Sequence, residues 1–130
     1  MRSAIALVLL VASISQGAVA DVKRYKTMPQ LLWGRWGPSQ DACQNSDASV
    51  FLVSDTIISI SGANCRLDSI SETPSEQGPK YSALLRCPKS GAESLVSQTV
   101  LILWPKGSGR LSAGSTFDAL KDYQLCPNPH

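Results

Sequence analysis

The chain has 130 residues, with 12 basic against 10 acidic side chains and a formal charge of +2. A balance this even argues against nucleic acid or an acidic polymer as the dominant partner. Four cysteines, an even number in a chain long enough for one domain, point to an oxidising compartment.

Residues 1–20 read as a secretory signal. Arg2 supplies the positive start, residues 4–12 (AIALVLLVA) are apolar, and Ala18-Val19-Ala20 is a small-x-small cleavage signal. The apolar run is far shorter than the roughly 20 residues that span a bilayer as a helix. No cysteine follows the cleavage signal to carry a lipid. The expected mature chain begins at Asp21, is periplasmic or secreted, and has no transmembrane segment. Residues 1–20 contain Arg2 and no acidic residue, so their removal leaves 11 basic against 10 acidic side chains. A domain of this size buries under about 70% of its unfolded surface, so covalent help is useful.

Residues 21–30 lack a hydrophobic period and contain Pro29, which predicts an extended lead-in. The basic run Lys23-Arg24-Tyr25-Lys26 lies in it, as a solvated tail or as a contact to an anionic membrane or wall surface. Residues 31–36 (LLWGRW) predict a first short strand, since Gly34 and Gly37 each cost a helix about 1 kcal/mol relative to Ala. Residues 39–49 are polar and turn-forming and carry Cys43. Residues 50–53 and 56–61 predict a hairpin around Ser54-Asp55, with Ile58 and Ile60 on one face. A turn at residues 62–64 leads to a weaker strand at 65–71, then a loop at 72–78.

Residues 81–87 alternate well, with Tyr81, Ala83, Leu85 and Cys87 pointing one way. A turn at residues 88–91 leads to the longest strand, 93–104. Its second half is apolar on both faces, as where a strand crosses the centre of a small barrel or sandwich. Trp104 is expected in the core. Residues 105–109 (PKGSG) reverse the chain into a strand at 110–113. Then follows a brief helical turn capped through Ser115 and Asp118, with a closing strand over 120–126 as the alternative for part of it. The preferred reading is a short turn and then the strand, with residues 127–130 as a tail. The fold class is all-β: a small antiparallel barrel or sandwich of six to eight short strands, one domain over residues 31–126.

The cysteine spacings of 22, 22 and 39 residues fit neither a zinc knuckle nor a redox pair. The one histidine, His130, is the last residue, which excludes a mixed His/Cys zinc site. Structural disulfides follow, with Cys43 to Cys65 and Cys87 to Cys126 as the expected pairing, because each pair would lie at one end of a hairpin or closing strand. The pattern offers no base for a nucleophilic serine, no S-x-x-K motif, no phosphate loop and no calcium loop. A non-enzyme without cofactor or metal is expected.

The binding candidates are Trp33, Arg35, Trp36 and Lys106. Trp33 and Trp36 are three apart, so in a strand they face opposite sides. Burial of both is expected, with exposure of one as an aromatic anchor the alternative. Arg35 would stack on an indole or pair with Asp41; a contact to an acidic ligand is its functional alternative.

The framework Trp33-Gly34-Arg35-Trp36-Gly37-Pro38, Cys43, Cys65, Cys87 and Cys126 resembles small exported proteins common in alphaproteobacteria. These have a Gly-x-Trp start and four cysteines in a β-rich domain. That resemblance implies location and fold and adds no activity. Ser61-Gly62-Ala63-Asn64 and Trp104-Pro105-Lys106-Gly107 are weakly similar to the two loops of the periplasmic inhibitors of lysozyme, but Cys65 stands where that family has tyrosine. The expected function is a small binding or accessory protein whose partner, a protein or a cell-envelope component, the sequence leaves unknown. A hydrolase inhibitor presenting residues 105–109 or 72–78, and a small-ligand carrier, are the alternatives.

Overall fold

The computed structural model describes residues 22–45, 47–89 and 92–127, the side chains of residues 92–95 excepted. The signal expected over residues 1–20, the Gly91 end of the turn at 88–91, and residues 128–130 with His130 lie outside the described residues.

Among the described residues nine strands form one antiparallel sheet, and eight of them close into a barrel. They are β1 (Lys23–Tyr25), β2 (Gly34–Gly37), β3 (Phe51–Val53), β4 (Ile57–Ile60), β5 (Ala63–Thr73), β6 (Lys80–Lys89), β7 (Ala92–Gly107), β8 (Arg110–Gly114) and β9 (Lys121–Leu125). The ring runs β5-β4-β3-β2-β9-β8-β7-β6, and pairing of β6 with β5 completes it. This settles the architecture as a barrel. The lead-in is not purely extended coil: β1 joins the edge of β5 beyond β4, with Arg24 opposite Ser71.

Alternation fills the interior. Tyr81, Ala83 and Leu85 on β6 are buried, and their partners on β7 are Leu103, Leu101 and Thr99. Leu111 and Ala113 of β8, Phe51 and Val53 of β3, and Ile58 of β4 complete a continuous cluster. Met28 and Leu32, from the segment before β2, join the same cluster. The expected hairpin around Ser54-Asp55 forms without a glycine because Ser54 supplies the turn's bonds. Its hydroxyl accepts from the Ile57 N–H at 3.2 Å and donates to the Ile57 carbonyl at 3.0 Å. The β4–β5 and β7–β8 hairpins have two-residue turns, Ser61-Gly62 and Ser108-Gly109. All four residues lie at positive φ, the geometry of the twist-matched type I′ turn.

Several local expectations are corrected. Residues 31–36 are not one strand: Gln30–Leu32 forms a 3-10 turn, and β2 starts only at Gly34. The polar stretch after it holds a helix, α1 (Gln40–Gln44), whose N-cap Ser39 accepts from the Ala42 N–H at 3.1 Å. The turn Phe117–Ala119 has Thr116 at its N-cap and no side-chain cap, so Ser115 and Asp118 do not cap it. The closing strand then follows as β9.

The disulfide pairing is also corrected. Cys43 bonds to Cys126 and Cys65 to Cys87. β5 and β6 are neighbours with Arg66 opposite Arg86, so Cys65 and Cys87 face each other across two strands with Cα atoms 4.2 Å apart. Cys126 follows β9, which pairs with β2, and α1 returns Cys43 to the same place. The Cys126 N–H donates to the Arg35 carbonyl at 2.7 Å.

Candidate functional site

The outer wall of β7 carries the least expected feature. Leu103 faces the interior with no exposure, so its neighbour Trp104 points outward. The expected core position of Trp104 is therefore wrong. A run apolar on both faces hides which of its residues leave the core. The Lys106 ammonium lies 2.9 Å from the Trp104 ring centroid and the Lys80 ammonium 4.2 Å. A register shift between Pro105 and Gly107 turns the end of β7, and Lys106 folds back on the indole there. Each cation above an indole contributes about 0.5–2 kcal/mol. Lys80 also approaches the exposed Phe117 ring at 5.5 Å. The Trp104 indole N–H is buried without a hydrogen-bond partner among the described residues.

Next to this stack is an open cleft of about 540 Å³, lined by Pro38, Lys106, Arg110, Leu111, Ser112, Asp122, Tyr123 and Gln124. Lys106 and Arg110 supply two cations. Asp122 is their counterweight, and it accepts a 2.8 Å bond from the buried Ser112 hydroxyl. A second cleft of about 600 Å³ is lined by Trp33, Gly34, Arg35, Gln40, Gln124, Leu125, Cys126 and Pro127. Gln124 borders both, because β9 lies between β8 and β2.

The structure thus divides the predicted binding residues. Trp33 and Arg35 share one cleft and Lys106 lines the other. Trp36, at 4% exposure, is interior, its indole N–H donating to the Leu32 carbonyl at 2.9 Å. Burial of both indoles is not observed: Trp33 is 40% exposed while its N–H donates to the Met28 carbonyl at 2.8 Å. Arg35 neither stacks on an indole nor pairs with Asp41; its guanidinium donates to the Cys43 carbonyl at 3.2 Å. The four cysteines are structural, and none is free. Sequence reasoning missed Trp104, Lys80, Arg110 and Phe117. Strict alternation outward from Tyr81 and Leu103 is the signal that finds the first two.

A third, smaller cleft of about 260 Å³ is bordered by Lys23, Glu72, Pro74, Ser75, Gly78 and Pro79. Glu72 accepts from the Tyr25 hydroxyl at 2.8 Å and from the Tyr81 hydroxyl at 3.0 Å. These bonds, Tyr25 first, hold its carboxyl below the ordinary glutamate value. Tyr81 is pushed up to about 12, first by burial and then by its bond to Glu72. The trio ties β1 to β5 and β6. No group of three or more His, Cys, Asp or Glu suited to a metal occurs among the described residues. No described helix is long and apolar enough to cross a membrane.

Comparison with known proteins gives no match: no family model, no curated protein and no solved structure is similar to the chain.

Proposed function

We propose that the chain is a non-enzymatic binding or accessory protein of the periplasm or the secreted fraction. Its partner is a protein or cell-envelope component that presents carboxylates, bound on the outer wall from β7 across β8 and β9 to β2. The observation that carries this reading is Trp104, outward-facing and flanked by the ammonium groups of Lys80 and Lys106 beside the Lys106–Arg110 cleft. A partly covered indole with cations over it provides apolar area and charge on a wall fixed by β-pairing, so little ordering cost remains on binding. Arg35 and the exposed Trp33 extend the same chemistry across Gln124. Export rests on the N-terminal signal pattern and on two disulfides of a kind that persists in oxidising compartments.

The two alternatives have less support. An inhibitor inserting the loop at residues 105–109 needs a projecting Lys106, yet that side chain lies back on Trp104. A carrier needs an open lumen, whereas packed side chains occupy the barrel interior. The test immobilises the protein, disulfides intact, and captures from an envelope extract of the source cell over a salt series. Capture should weaken as salt rises, and the triple variant Trp104→Ala, Lys106→Ala, Arg110→Ala should lose it without unfolding. Equal capture by that folded variant at every salt concentration would refute the proposal.

A further inference from the structure

A different part of β7 points to self-association. The strand has 16 residues, but β8 pairs only with its last part, from Ile102 to Gly107. Along residues 96–101 one edge is paired with β6, residues 93–95 fall in a register shift, and the other edge has no paired strand among the described residues. At about 3.4 Å per residue this regular open edge is roughly 20 Å long.

Exposed edges are usually blunted by lysine, proline, a bulge or shortness. The edge of β1 follows that rule, with Lys23 and Arg24 in three exposed residues. Residues 96–101 of β7 (VSQTVL) break it: they contain no charge, no proline, no glycine and no register shift. Their register with β6 is unbroken from Leu103 to Val96. On the outer side Val96 is 55% and Val100 42% exposed.

We infer that this edge pairs, antiparallel and about a two-fold axis, with the same edge of a second copy of the chain. The sequence is self-complementary for that arrangement. With the axis at Gln98, Val96 of one copy lies opposite Val100 of the other, and the reverse pair repeats it. Opposed residues share a face, so the two exposed valines cover each other, and the two Gln98 amides meet at the axis. The overlap, residues 96–100, carries no charge to repel its copy and stops before β8 begins to pair. The wall around Trp104 lies beyond it, so this association does not depend on the proposed partner surface.

Sedimentation of the purified protein, disulfides intact, from about 1 μM to about 1 mM tests the inference. A reversible dimer is expected. Hydrogen exchange at the amides of residues 96–100 should slow as concentration rises, and Val96→Lys with Val100→Lys should return the protein to monomer. Gln98→Cys should cross-link two copies through residue 98 on mild oxidation, since directly opposed Cα atoms lie about 4.5–5.5 Å apart. A wild-type monomer across the whole range overturns the inference. So does a dimer whose exchange at 96–100 is independent of concentration, or one that persists in the folded double-lysine variant.

Discussion

Glu72 joins three strands through one carboxylate, since Tyr25 is on β1, Tyr81 on β6 and Glu72 itself on β5. Its folded-state pKa is depressed, chiefly by the Tyr25 bond and then by the Tyr81 bond. The resulting stabilisation is present above the ordinary glutamate value and is lost as pH falls through the lower folded value. Tyr81 has the opposite sign. Its folded value rises from 10.0 to about 12, so its contribution is present below 10.0 and is lost as pH climbs towards and past 12. Urea midpoints measured against pH should therefore fall on both flanks. Glu72→Gln should flatten the acid flank, leaving the part due to Asp47, which the Ser49 N–H and hydroxyl hold low. An unchanged acid flank in that variant would show that the trio does not act as described. None of this was legible from the sequence, because the three residues meet only through the pairing of β5 with β1 and β6. The tryptophans were half-legible for a related reason. The spacing of Trp33 and Trp36 assumes one strand through both, whereas a 3-10 turn ends at Leu32 and β2 begins after Trp33.

Among the elements, those with a strict period of two were read well. β6 buries Tyr81, Ala83 and Leu85 as its alternation requires, and the hairpins at residues 54–55 and near 108 fall where turn residues interrupt apolar runs. α1 escaped because its five residues are too few to show a helical period, and its clearest signal is the capping Ser39. The end of β8 escaped for another reason: what shapes it is contact, not pattern. The backbone of Ala119 and Leu120 packs directly on Gly114, which pairs with Ile102 on the outer wall. Ile102 points outward yet is only 5% exposed. A Cβ at position 114 would collide with the Ala119 carbonyl, which is backbone and has no rotamer to escape into. Gly114→Ala should cost about 1–3 kcal/mol of unfolding free energy. It should also expose the outer wall near Ile102 and Trp104, seen as a red shift in tryptophan emission. A variant as stable as the parent would mean that the segment over Gly114 is free to move away.

At the scale of the whole molecule, closure decides what one chain's residues cannot. The strand candidates required β-pairing, but neither their order nor the ring was written in their periods, and the disulfide pairing followed the missing information. Reading Cys43–Cys65 as local to the first hairpin and Cys87–Cys126 as local to the closing strand joins each cysteine to a neighbour in sequence. In the barrel the neighbours are strands: β5 with β6, and β2 with β9. Cys65–Cys87 spans 22 residues, and Cys43–Cys126 spans 83, linking α1, just after the first barrel strand, to the residue that follows the last. In the chain-entropy model, loops of these lengths stabilise by roughly 3.4 and roughly 4.5 kcal/mol. Peptide mapping without reductant should recover those two pairs and no Cys43 to Cys65 peptide. Replacing Cys43 and Cys126 together by Ala should then lower the unfolding free energy by about 1 kcal/mol more than replacing Cys65 and Cys87. The opposite order in urea titrations would place the larger constraint in the β5–β6 staple. The seam between β2 and β9 would then be held by strand pairing and core packing without needing its long covalent link.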